Sequence, residues 1–139
     1  MAELLVNIDV GEIDRAVEFY VRAFDLSIAR RFGSAGVELL GATAPIYLLE
    51  KAPGTVPFAG ARQERTYGRH WTPVHLDFVV EDLERAVEKA EAAGARRDGE
   101  ISTHAWGRMA TMADPWGHGF CLLQFRGRGY AEIADPPEE

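Results

Sequence analysis

The chain has a single cysteine, Cys121, so no internal disulfide can form and a small cross-linked secreted scaffold is excluded. That usage fits a reducing compartment, and we expect a cytoplasmic protein. Long apolar runs are missing as well. Nothing approaches the roughly 20 residues that span a bilayer, and residues 1–7 have neither the basic start nor the apolar stretch of a signal peptide. Positive charge is the minority, with 15 Lys and Arg against 22 Asp and Glu. The net charge of -7 repels phosphate backbones, so nucleic acid is not an expected partner. What is present is ample core material: 47% of 139 residues are hydrophobic, enough for one ordinary domain and too much for disorder.

The chain also repeats itself. Val10–Glu18 aligns with Val80–Glu88 at an offset of 70, with Arg-Ala-Val-Glu identical at 15–18 and 85–88. Further on, Ile46–Glu50 matches Phe120–Gln124 at an offset of 74, so the copies differ by a few loop residues. Each copy opens on a short β-branched and aromatic run, 4–10 and 74–80, which reads as a strand. A helix follows each. Ile13, Ala16, Val17, Tyr20 and Phe24 recur at helical spacing in the first, and Leu83, Ala86, Val87, Ala90 and Ala93 in the second. Asp82 and Gly94 are good start and stop residues for the second helix, whereas Glu12 is a weak start for the first. Three strand-like runs complete each copy, at 27–33, 36–42 and 45–51, then at 96–104, 108–113 and 119–125.

The expected fold is therefore α+β, two tandem βαβββ modules at 4–51 and 74–125 with a linker at 52–73 and a tail at 126–139. One helix per four strands covers only one sheet face, which leaves the other free to curve around a cup-shaped cavity. Tandem modules of this kind, the strand-to-helix entry Val80–Val87, and the turn Asp114-Pro115-Trp116-Gly117 running into Phe120–Leu123 resemble the vicinal oxygen chelate superfamily. Glyoxalase I, bleomycin-resistance proteins and extradiol dioxygenases belong to that group. The resemblance covers residues 4–125 and is specific for fold rather than activity.

The resemblance implies metal ligands on the first and last strands of each module. Those positions fall on Leu5 and His75, and on Tyr47 and Cys121. Only His75 is of the usual ligand type, since leucine has no donor and a phenol or neutral thiol is a poor substitute. Glu50 could serve only if a bulge turned it around; otherwise it points to the opposite face. We therefore expect no metal, with Zn, Ni, Mn or Fe as the alternative.

Strand alternation sends Asp77 to the same side as His75, and the repeat sends Leu5 and Asn7 to the equivalent surface. His75 and Asp77 could be an acid–base pair, an anchor for a ligand, or a satisfied polar pair. Trp71, Trp106, Trp116, Tyr47 and Phe58 are candidate flat walls for a planar guest, with Trp106 preferred. Cys121 reads as a packing residue before it reads as a nucleophile, and His70, His104 and His118 fit no ligand spacing. Arg62, Arg65 and Arg69 would share a face if the linker turned helical.

The expected function is that implied by the bleomycin-resistance branch: a metal-free protein, homodimeric, that sequesters a small organic molecule in the cup. Expected ligand contacts are Asn7, Tyr47, His75, Asp77, Trp106 and Cys121. The alternative is a divalent-metal enzyme of glyoxalase, epimerase or dioxygenase type.

Overall fold

One short strand leads into each helix, and the chain folds as the repeat predicts. A computed structural model describes residues 1–137. The first module runs β1 (Val6–Val10), α1 (Ile13–Phe24), β2 (Ser27–Phe32), β3 (Gly36–Leu40) and β4 (Ile46–Glu50). The second runs β5 (Leu76–Val79), α2 (Leu83–Ala93), β6 (Arg96–Arg97), β7 (Ser102–His104), β8 (Gly107–Ala113) and β9 (Gly119–Phe125). The strand expected at 96–104 is thus two short strands, both paired to β8. Sheet orders are β1-β4-β3-β2 and β5-β9-β8-β6, with β7 also on β8; among these strands β1–β4 and β5–β9 pair in parallel and the other pairs are antiparallel. The sheets are not closed on each other.

The apolar stripes read from the sequence bury against each other. Ile13, Ala16, Val17 and Tyr20 of α1 join Leu83, Val87 and Ala90 of α2 in one core shared by both modules, to which Phe19, outside the stripe read from the sequence, also belongs. Phe24 stacks on Phe78 of β5 at 3.9 Å between centroids, tying α1 to the second sheet. Trp116, a candidate wall for a guest, is instead buried in this core despite its place in a turn.

The helix starts reveal a second duplicated device. Asp82 caps α2 as expected, its carboxylate accepting from Arg85 N at 3.1 Å. Glu12 makes no such bond. Instead Glu50, at the end of β4, accepts from Ile13 N at 2.9 Å, and its repeat-mate Gln124 accepts from Leu83 N at 2.9 Å. Each last strand therefore supplies an acceptor to its own helix N-terminus, where free N–H groups and the helix dipole favour one. Glu50→Ala should cost about 1 kcal/mol in urea denaturation while Glu50→Gln stays close to wild type. Equal losses for both variants would contradict the capping role.

The linker at 52–73 is not helical, so its arginines do not form a common helical face. Arg65 pairs with Asp9 at 2.7 Å and Arg69 pairs with Asp98. In the tail, Gly129–Glu132 forms a 3-10 turn whose Tyr130 packs on Trp106 and Phe125. Glu138 and Glu139 of the tail lie outside the described residues. Among the described residues no helix is long and apolar enough to cross a membrane.

Candidate functional site

Alternation along the parallel strand pairs decides which side chains leave the core. Ile8 and Val10 of β1, and Phe120 and Leu122 of β9, point toward the helices and are buried. Asn7 and Asp77, two residues along from Leu5 and His75, point the other way and are exposed. Register then pairs Asn7 with Tyr47 and Asp77 with Cys121, so the two modules present equivalent pairs on equivalent faces.

In the second module the pair becomes a cluster. His75 Nε2 lies 3.4 Å from Asp77 Oδ1, and donor atoms of His75, Asp77 and Cys121 all fall within 4.8 Å of one another. Burial first, and then the neighbouring Asp77 carboxylate, pushes the Cys121 thiol up to about 12. At neutral pH it is a thiol and not a thiolate, which removes the basis for a nucleophile.

In the first module Tyr47 is engaged instead. Its hydroxyl donates to Glu38 Oε2 at 2.5 Å, and Arg30 donates to both Glu38 oxygens at 2.8 and 2.9 Å. The Phe32 ring stands 6.0 Å from Tyr47. The hydrogen bonds from Arg30, then that of Tyr47, hold the Glu38 carboxyl down at about 2 against the opposing effect of desolvation. An unfolded glutamate titrates near about 4.3. Glu38 therefore adds stability above that pH, and the contribution fades as pH falls from there through about 2. Arg30→Ala removes the largest cause, so its acid-unfolding midpoint, followed by circular dichroism, should move to higher pH. An unchanged midpoint would contradict this linkage.

Between the modules, the edge of β1 faces β5 across a crevice of about 460 Å³. Val6, Ile8, Leu76 and Phe78 make its walls apolar, while Asn7, His75 and His118 supply polar groups. A larger depression of about 680 Å³ is rimmed by Asp25, Glu81, Asp82, Arg85 and Lys89, a charged border less suited to an apolar guest. Of the candidate contacts, the structure brings Asn7 and His75 to the crevice and places Asp77 and Cys121 beside His75. Tyr47 sits in the Arg30–Glu38 network, and Trp106 stacks on His104 at 4.9 Å and packs on the tail, away from both cavities. Phe58 is 68% exposed. Arg30 and Glu38 were not visible as a pair in the sequence, because their meeting depends on the irregular register of β2 on β3.

Two sheets with a shared helical core and equivalent polar pairs define a protein of paired βαβββ modules. The chain belongs to the glyoxalase-like domain family, whose model matches residues 5–123. An uncharacterised protein of Mycobacterium bovis is 27% identical over 118 residues, 83% of this chain and 78% of its own length. The anthracycline biosynthesis protein DnrV of Streptomyces peucetius is 28% identical over 132 residues, 93% of this chain but 43% of DnrV. Among solved structures, the fosfomycin resistance protein FosX of Listeria monocytogenes superposes with a TM-score of 0.72 at 15% identity, covering 96% of this chain and 98% of FosX. A glyoxalase/bleomycin resistance/dioxygenase family enzyme of Burkholderia phytofirmans gives 0.67 at 18% identity, over 90% and 100%. The fold is that of the vicinal oxygen chelate superfamily.

One FosX structure holds Mn(II) with a dihydroxypropylphosphonic acid. The residues here do not fit such an ion. At the positions of the inherited ligands the first module has only Leu5, which has no donor, and Tyr47, whose hydroxyl is bonded to Glu38, while the second sets a thiol, which manganese disfavours, beside His75 and Asp77. Glu50 does not fill the gap: β4 has no bulge, and its carboxylate caps α1 on the helix side.

Proposed function

We propose that this chain is a metal-free binding protein for a small, planar organic molecule, held in the crevice between its modules and completed by a second copy of the chain. The observation that carries this reading is the crevice itself, with apolar walls and with Asn7 and His75 at the polar positions. The name of DnrV, a protein of anthracycline biosynthesis, supports a planar guest. Phe32, Leu40 and Val79, 47%, 42% and 61% exposed on sheet faces turned from the helices, support a homodimer. The lone buried thiol suits the cytoplasm.

A second reading rests on one observation. His75, Asp77 and Cys121 supply three donors of a type that zinc accepts, which favours a divalent-metal enzyme built on the second module alone. Native mass spectrometry of the purified protein with metal analysis of wild type and His75→Ala separates the two. We expect a dimer without stoichiometric metal, and an anthracycline probe whose binding shifts amide resonances around Asn7 and His75. Stoichiometric zinc that disappears in His75→Ala would replace the first reading with the second.

A further inference from the structure

His70 and His118, which fit no ligand spacing in the sequence, meet in the fold. His118 Nδ1 lies 2.8 Å from His70 Nε2. The outer nitrogens are also engaged: His70 Nδ1 is 2.9 Å from the Gly68 carbonyl oxygen, and His118 Nε2 is 2.7 Å from the Asp9 carbonyl oxygen. A carbonyl only accepts, so both outer nitrogens must carry protons. The inner contact needs one proton more, on either ring. The chain of three hydrogen bonds therefore requires three ring protons, and two neutral imidazoles hold only two.

We propose that His70 and His118 form a single-proton binding site, one shared positive charge that latches the second module and its linker to β1 of the first. Two neutral rings would either set lone pairs against each other at the inner contact or release one of the two carbonyls. A fourth proton would oppose two N–H groups and place two charges side by side. Either change strains the same bridge. Backbone bonds from His70 N to Gly117 O at 2.9 Å and from Gly119 N to His70 O at 2.8 Å hold the linker to the β8–β9 turn whatever the charge. The proton-dependent link is thus the one that crosses to Asp9 of β1.

The surroundings accommodate one positive charge. On β1 the Asp9 carboxylate is paired with Arg65, and on the linker Arg69 is paired with Asp98. Glu64 and Tyr67 from the linker also face the pair, which lies in the wall between a cavity of about 470 Å³ and the crevice carrying His75 and Tyr20. In the turn, the buried Asp114 carboxylate accepts from His118 N at 2.9 Å and has no ion-pair partner among the described residues.

Ring-nitrogen NMR of the full chain with 15N-labelled histidine, recorded from acid to alkaline pH, tests the site directly. At neutral pH the pair should show three protonated nitrogens and one bare one. Loss of the third proton should move the amide resonances of Asp9 and Val10 in the same step. His70→Gln can keep an uncharged chain of hydrogen bonds, and there the pH-dependent shift at Asp9 and Val10 should vanish. Two bare nitrogens at neutral pH, a third proton lost without any response at β1, or an Asp9 shift that survives in His70→Gln would each overturn the proposal.

Discussion

Asp114→Ala is expected to lose about 3–5 kcal/mol of unfolding free energy, a large share of what a domain of this size has. The Asp114 side chain is 2% exposed and accepts three hydrogen bonds, from Tyr20 Oη at 2.5 Å, Trp116 N at 2.8 Å and His118 N at 2.9 Å. Removing the carboxylate strands a buried phenol and two turn amides, each costing about 1–3 kcal/mol if unsatisfied, with partial relaxation limiting the sum. The phenol remains a donor throughout the ordinary pH range, because burial and then the Asp114 charge raise its pKa well above that of free tyrosine. Tyr20→Phe removes one donor and should cost less, about 1–3 kcal/mol. Asp114→Asn keeps an oxygen for the turn amides and should fall between them. Urea denaturation of the three variants measures the order, and a loss under about 1 kcal/mol for Asp114→Ala would mean that the turn repacks without its acceptor.

Asp114 also shows what a sequence carries and what it withholds. Its turn was legible because Pro115 and Gly117 have local conformational preferences, and Gly117 does adopt a φ of 81°. Its partner Tyr20 lies on a helix of the other module, and nothing local announces that meeting. The same division runs through the site. Asn7, His75 and Asp77 were placed on the open sheet faces by the two-residue period of a strand and by the repeat, and both hold in the fold. The approach of Cys121 to Asp77 needed the register of β9 against β5, and the Arg30–Glu38 pair needed the shifted register of β2. Trp106, the preferred flat wall on residue type, is partnered instead by Tyr130 of the tail, which no local pattern announces. His70 and His118, separated by 48 residues, were unreadable as a pair since the linker has no hydrophobic period to place it.

Gly107→Ala should be the most damaging single methyl in the molecule, with a loss of about 4–5 kcal/mol or more and no cooperative unfolding transition left in the weakest case. Gly107 opens β8 at a φ of 149°, outside the range that side chains accept easily. A Cβ there would drive into the backbone carbonyl oxygen of Gln124 and sit 2.9 Å from Phe125 Cα. Those atoms belong to β9, whose pairing with β8 is continuous from Gly107–Phe125 to Ala113–Gly119. The strand cannot move aside cheaply. Gln124 also caps α2, so displacing its backbone loosens the helix start along with the sheet edge. Gly99→Ala is the matched control: its φ of 82° carries a backbone penalty of about 1 kcal/mol, but no atom lies within 4 Å of the added methyl. Circular dichroism and urea denaturation of the two variants should separate them by several kcal/mol. Similar losses would show that backbone conformation, and not the collision with β9, governs this corner of the second sheet.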